Sequence, residues 1–297
     1  MKKYKETKEI EGKVFEDLVK YIAKNGVQKS IKPVFKTDDF ALYAGDCLKV
    51  LSRFPDNYVD MIFADPPYML SNDGFSCHAG RMVSVNKGKW DKSQGFETDL
   101  IFHEAWIKEC RRVLKPNGTI WISGTYHSIY QCGFLLQKSN FHILNDIAWF
   151  KPNAAPNLSC RFFTASHENL IWARKEKKGK HHFNYPAMKN GLFPEDKIKK
   201  EGTQMRSVWS INTPRPNEKI FGKHPTQKPL DLLKRIVLSS TKENDIILDP
   251  FNGGGTTGIA TKIVGKRRYI GIDIDPKYVD LTIKRYKQMN QPVLVYD

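Results

Sequence analysis

Two short strings in this chain carry residue types suited to chemistry. The first is Asp65-Pro66-Pro67-Tyr68, directly behind the apolar run 61–64. Two prolines remove two backbone donors and fix φ, so the string offers a carboxylate, carbonyl acceptors in set directions and an aromatic ring. That set suits a planar amine, whose N–H protons the acceptors take while the ring lies on its face. A tight Pro-Pro turn with a capping Asp is the plain structural alternative; the full string at a strand end is the more specific signal. The second string is Asp249-Pro250-Phe251-Asn252-Gly253-Gly254-Gly255-Thr256-Thr257-Gly258, between the apolar run 245–248 and a helical pattern. Glycines in a strand-to-helix turn let a ligand approach the backbone and face a helix N-terminus. Gly253, Gly255 and Gly258 keep the dinucleotide-binding spacing. Asp273 follows 20 residues beyond Gly253, where a carboxylate can hold ribose hydroxyls. A helix N-cap ahead of Pro276 is the alternative for Asp273. Spacing therefore gives an adenosine-type ligand and leaves its identity open.

These strings need elements that hold them. Apolar runs at 40–44, 61–64, 119–123, 169–173, 245–248 and 268–272 read as strands. Helical spacing falls at 102–114, 131–138, 229–239, from Thr256 and from Pro276. Such alternation predicts βαβ units and a mostly parallel sheet. Residues 1–37 form a separate polar extension, whose Val14, Phe15, Leu18, Val19 and Ile22 draw one apolar stripe on a helix ending near Gly26. An ordinary dinucleotide-binding domain opens with its Gly turn, yet here only 39 residues follow Gly258. The sheet is therefore expected to be permuted, with the cofactor turn late, the catalytic turn early, and both at neighbouring carboxyl ends.

Composition narrows the partners. The chain has 297 residues, and 48 Lys+Arg against 32 Asp+Glu leave a net charge of +16. A field of that sign attracts polyanions, nucleic acid first among them, with a basic solubility surface as the other reading. From 174 to 206 ten Lys/Arg face four acids. His181, His182, Phe183, Tyr185, Phe193 and Trp209 lie among or beside them, as suits bases that stack while phosphates pair. No run approaches a membrane span, and the N-terminus lacks a signal-peptide core, which places the protein in the cytoplasm. The five cysteines (Cys47, Cys77, Cys110, Cys132, Cys160) are spaced for neither a disulfide framework nor a metal knuckle, and no metal is implied.

Taken in order, Asp65-Pro66-Pro67-Tyr68, the basic insertion, His224-Pro225-Thr226-Gln227-Lys228-Pro229 and Phe251-x-Gly253-x-Gly255 resemble the β-class amino-methyltransferases of DNA over residues 38–297. The runs 83–92 and 153–161 resemble adenine methylases of restriction-modification systems, most nearly the Dpn-type second methylases of GATC, which tolerate single strands. The resemblance implies an α/β fold with a permuted, doubly wound, mostly parallel seven-stranded sheet, Rossmann-like, carrying a basic recognition insertion at 174–222 and a mobile active-site loop at 69–95. It implies S-adenosylmethionine as cofactor and DNA as partner, duplex or single-stranded, with a homodimer as one option. Asp65 and the Pro66 carbonyl, set by Pro67, would accept the hydrogen bonds of an exocyclic amine, and Tyr68 would stack on the flipped base. Asp249, Phe251, Gly253, Gly255 and Thr256 would line the cofactor and Asp273 hold its ribose. His224, Thr226 and Lys228 would meet the methionine end, with Lys228 on the carboxylate. Asp46 would pair with the cofactor's adenine or else cap a helix. Asp-Pro-Pro-Tyr is more typical of adenine-N6 enzymes, and cytosine-N4 is the near alternative. A dehydrogenase with similar glycine spacing lacks a catalytic His/Arg constellation here. A non-catalytic nucleic-acid module would tolerate loss of Asp65.

Overall fold

In a computed structural model the chain is described at residues 32–69, 75–78, 81–84 and 91–289. The helix expected to end near Gly26 lies outside these residues, as does much of the 69–95 loop. Within that loop, strands β4 (Phe75–His78) and β5 (Arg81–Ser84) pair antiparallel.

The other strands join one sheet of nine. In chain order they are β1 (Phe35–Lys36), β2 (Phe40–Ala44), β3 (Val59–Ala64), β6 (Leu114–Gly124), β7 (His142–Phe150), β8 (His167–Arg174), β9 (Val208–Ser210), β10 (Ile246–Asp249) and β11 (Arg268–Asp273). Their spatial order is β1-β2-β11-β10-β3-β6-β8-β7-β9. The five strands β2, β11, β10, β3 and β6 run parallel, β8 is antiparallel to both neighbours, and β7 pairs parallel with β9. The expected seven strands are present, and two short edge strands, β1 and β9, are added to them. The central strands read as continuous apolar runs because helices cover both faces: β10 is buried throughout and β3 nearly so.

Helices α1 (Cys47–Leu51), α2 (Phe96–Val113), α3 (Ile129–Lys138), α4 (Tyr185–Asn190), α5 (Leu230–Ser240), α6 (Thr256–Val264) and α7 (Pro276–Met289) complete the layers. α5 buries Leu232, Leu233, Ile236 and Val237 in the core that also holds Trp121, Trp149, Trp172 and Trp209. Trp121 and Trp172 are register partners on β6 and β8, and their rings stack with centroids 5.0 Å apart.

From β10 the chain winds to β11, and from β3 it winds the other way to β6. The reversal opens a crevice at the carboxyl ends of β10 and β3, where open α/β sheets bind ligands. The region 174–222 is packed onto the main sheet. β9 extends the sheet edge, and Arg235 of α5, buried, pairs with Glu195 at 2.9 Å and Asp196 at 2.7 Å. Trp209, expected among the base-stacking aromatics, is instead buried, with the Arg235 guanidinium over its ring at 4.9 Å. Among the described residues no helix is long and apolar enough to cross a membrane.

Candidate active site at the carboxyl edge of the sheet

β10 ends at Asp249 and the chain turns through the glycines into α6, so the turn lies at the mouth of the crevice. Gly255 sits at φ +72°, where an L side chain is strained, and a Cβ there would meet Thr282 at 2.4 Å. Gly258 lets α6 lie against the Phe40 and Tyr269 rings, which a Cβ would strike at about 2.7 Å or closer. Outside the turn, α7 braces it: Arg285 donates to the Gly254 carbonyl and to Thr256 Oγ1, and Asn252 Nδ2 donates to Thr282 Oγ1 at 2.9 Å. Asp273, at the end of β11, accepts the Gly253 N–H at 2.6 Å and the Asp275 N–H at 2.9 Å. Asp249 accepts the Thr257 hydroxyl at 2.6 Å and the Phe251 N–H at 3.0 Å. Burial pushes the Asp249 carboxyl up to about 7 and that of Asp273 to about 6.

The amine side is assembled differently. Asp65, past the end of β3, receives the Tyr68 hydroxyl on Oδ1 at 2.6 Å and the Lys228 ammonium on Oδ2 at 2.6 Å. Lys228 lies 3.6 Å from Glu168 of β8, whose other oxygen receives Lys151 at 3.1 Å. The Tyr68 hydroxyl oxygen also lies 3.0 Å from Ser123 Oγ on β6 and 3.2 Å from Glu168 Oε2. With both carboxylates ionised, the two ammonium groups balance them in one compact network, although burial holds the Asp65 carboxyl above the usual carboxylate range. Burial opposes the charge on Lys228, yet Asp65 and Glu168 hold its ammonium above the usual lysine range. Glu168 falls below the usual carboxylate range, since the two lysines outweigh its burial. The backbone of the string is fixed by Asp91, which accepts the Tyr68 and Met69 N–H groups at 2.9 and 3.0 Å.

One pocket joins both sides. Asp46, Asp65, Pro67, His224, Thr226, Lys228, Asp249, Phe251, Gly253, Thr256 and Asp273 line it; Pro66, Tyr68 and Gly255 are buried and are not part of its lining. The Phe251 ring meets Trp106 edge-on at 5.3 Å and forms an apolar wall. The His224 ring stands against Tyr278 at 4.2 Å, and its imidazole occupies the space a Cβ on Gly253 would need. Apolar wall, sidechain-free turn and strand-end carboxylate fit an adenosine-bearing ligand. Two positions differ from expectation, and a third takes the alternative given for it. Tyr68 is only 5% exposed, with its hydroxyl hydrogen-bonded to Asp65 and Lys228 5.1 Å from its ring centroid, so its ring is not open to an incoming base. Lys228 places its ammonium on Asp65, because the two carboxylates attract it more than an open pocket does. Asp46 caps α1, accepting the Lys49 N–H at 3.1 Å, while still lining the pocket.

The site also includes residues that the sequence reading missed. Glu168, Lys151 and Ser123 sit singly in strands or beside them, with no local spacing to mark them. Gln227 stood within the quoted His224–Pro229 run, and its amide donates to the Glu218 carbonyl at 2.9 Å.

The DNA methylase family with N6 and N4 members matches residues 59–284. A type II methyltransferase of Moraxella bovis, M2.MboI, is 50% identical over 89% of this chain and 94% of its own length. M2.DpnII of Streptococcus pneumoniae, also a type II methyltransferase, is 49% identical over 88% and 94%. Among solved structures, the M1.HpyAVI complex with SAM superposes with a TM-score of 0.61 at 28% identity, covering 83% of this chain and 98% of the other. The strand-end Asp-Pro-Pro-Tyr, the glycine turn and their shared pocket accordingly have a common origin: the chain belongs to the N6/N4 DNA methylase family.

Proposed function

We propose that this protein moves the methyl group of S-adenosylmethionine to the N6 amine of adenine in DNA, as the methylase of a type II restriction-modification system. The observation that carries this reading is the opening of Asp65 into the same pocket as Phe251, Gly253 and Asp273. Asp273 is suited to the ribose, Phe251 to the apolar face of the cofactor, and His224 with Thr226 to its methionine end; Asp46 is suited to the adenine. When bound, the cofactor supplies an electrophilic methyl group on a sulfonium. Asp65 and the Pro66 carbonyl accept the N–H bonds of the target amine and raise electron density on a nitrogen otherwise conjugated into its ring. Asp65 is also the nearest acceptor for the proton that the methylated nitrogen sheds. Holding both reactants in line contributes as much as ~7–11 kcal/mol in well-oriented systems. The amine is unreachable inside a duplex, so the base is turned out first. Two relatives are type II methyltransferases, and both chains are nearly fully covered, which favours the same setting here.

The substrate sequence GATC rests on the resemblance alone, and single strands are included as substrates on the same ground. A homodimer is favoured by Tyr130 and Phe134, exposed one helical turn apart on α3, with Tyr126 exposed in the turn before it. Light scattering after gel filtration gives twice the chain mass if they pair two copies.

The deciding experiment is transfer of labelled methyl to duplex and single-stranded DNA of mixed sequence, followed by nucleoside analysis. N6-methyladenine is expected, and mapping it gives the site. N4-methylcytosine keeps the mechanism and changes the base. No label on either DNA overturns the reading.

A further inference from the structure

The run 153–161, singled out in the sequence, lies in a loop that the pocket does not use. The loop spans 151–166 between β7 and β8, and both its ends belong to the buried network: Lys151 opens it, and Glu168 follows two residues after its close. Its base is sealed by the Lys151 N–H on the Ser166 carbonyl at 2.7 Å. Inside, Asn157 acts as a brace. Its side-chain amide donates to the Phe162 carbonyl at 2.7 Å, its Oδ1 accepts the Ser159 N–H at 3.0 Å, and its own N–H reaches Thr164 Oγ1 at 3.3 Å. Asn153 and Thr213 exchange two hydrogen bonds of 3.0 Å, which tie the loop to the segment after β9.

This ordered frame does something unusual with its apolar residues. Phe162 is 69% exposed and Phe163 97% exposed, although burial of a phenylalanine ring is ordinarily favourable. A loop internally braced to hold two rings in water presents them to a partner. Lys151 is taken up by Glu168, which leaves Arg161 beside the two rings with no acid in the loop; on a chain of net charge +16 that favours a polyanionic partner. A polyanion with flat apolar faces between its charges is nucleic acid. Chain geometry bounds the distance: Phe163 stands five positions before Glu168, a reach of at most roughly 18 Å.

Resting on the proposed methylation of a base turned out of duplex DNA, we infer that Phe163, backed by Phe162, enters the base stack where the target base has left it. Apolar wedges inserted at base steps are a general means of holding a duplex open. Phe163 suits this task better than the base-stacking task, since a ring so exposed forms no wall of the pocket. Tyr68 does not compete for it, being buried under Lys228.

The test uses the full chain with Phe163→Ala, Phe162→Ala/Phe163→Ala and Phe163→Trp, on three oligonucleotides carrying the mapped site. These are the matched duplex, the duplex with an abasic position opposite the target, and the single strand. The wedge helps only where unstacking and unpairing must be driven, so kcat/KM of Phe163→Ala falls about tenfold or more on the matched duplex and stays within about twofold on the other two. The double variant falls further, Phe163→Trp recovers most of the duplex rate, and all three melt with the wild type. Wild-type rates on the matched duplex, or an equal loss on single strands, overturn the wedge while leaving the methylase reading intact. A wild-type chain inactive on every DNA overturns both.

Discussion

The two sides of the pocket are built on opposite plans. The cofactor side is one contiguous turn with Asp273 beside it, braced from behind by Arg285, Thr282 and Tyr269, and among the described residues no cation is paired with its two carboxylates, Asp249 and Asp273. The amine side draws Asp65, Glu168, Lys228 and Lys151 from four places in the chain and neutralises every charge within the cluster. One side is shaped in advance for a ligand; the other is satisfied before any ligand arrives. In the proposed reaction an incoming amine takes over the hydrogen bonds that Tyr68 and Lys228 give Asp65, which makes base capture a competition with internal partners.

The contrast is broken most severely at Lys228. Lys228→Met leaves Asp65 and Glu168 facing each other in a buried site, and a loss of about 3–5 kcal/mol in urea unfolding is expected. Adding Asp65→Asn to Lys228→Met recovers part of that loss, and an unchanged midpoint in the single variant shows that the network is not closed as described. Asp65→Ala comes next: methyl transfer falls by about 10²–10³ or more, while DNA binding by fluorescence anisotropy stays near the wild type. Unchanged transfer removes Asp65 from the chemistry. On the cofactor side, Gly255→Ala forces a Cβ into the left-handed region against Thr282 and costs about 1–3 kcal/mol. Calorimetric titration with S-adenosylmethionine should register it as weaker binding, with affinity for DNA unchanged.

The smallest effect concerns protons. The Asp249 carboxyl is near 3.8 in the unfolded chain and about 7 in the fold, so the folded state holds the proton more tightly. Its contribution to stability is then fully present below about pH 4 and is lost as pH rises through about 7. Asp249→Asn keeps both hydrogen-bonding positions, because the Thr257 hydroxyl can accept from the new amide. Thermal melts of the unliganded protein should show the variant gaining on the wild type as pH rises from 4 to above 7, with the advantage gone below pH 4. Parallel melting curves at all pH values would show that burial leaves this carboxylate unperturbed.

How much of this was legible differs between the same two regions. The cofactor turn could be read because its constraints are local: glycine spacing, the strand ahead and the acid 20 residues on all lie in one stretch. The permutation could be read too, since it is a matter of order. Asp65 was marked by its prolines, whereas Glu168 is one of three polar residues that open β8, and what makes it important is that β8 inserts antiparallel between β6 and β7. No periodicity encodes that insertion. β7 escaped notice because Asn145 and Asp146 interrupt its apolar pattern at exposed positions. β9 and β1 are only three and two residues long and owe their state to the neighbour they pair with. Lys228 was placed on the ligand by analogy; a pair of buried carboxylates, invisible in sequence, holds it elsewhere. Trp209 stood beside a basic run, yet burial against Trp121 governs it.

The strand order has a consequence for synthesis. β10 and β11 fill the middle of the sheet, between β2 and β3, but they leave the ribosome last. About 180 residues separate the end of β3 from the start of β10, an interval of roughly 10–40 s at ordinary elongation rates. Throughout it the inner edges of β2 and β3 have no partner from their own chain. The nascent protein thus waits as two sheet fragments facing an empty slot, and its cofactor pocket comes into being only when the last two strands slide in.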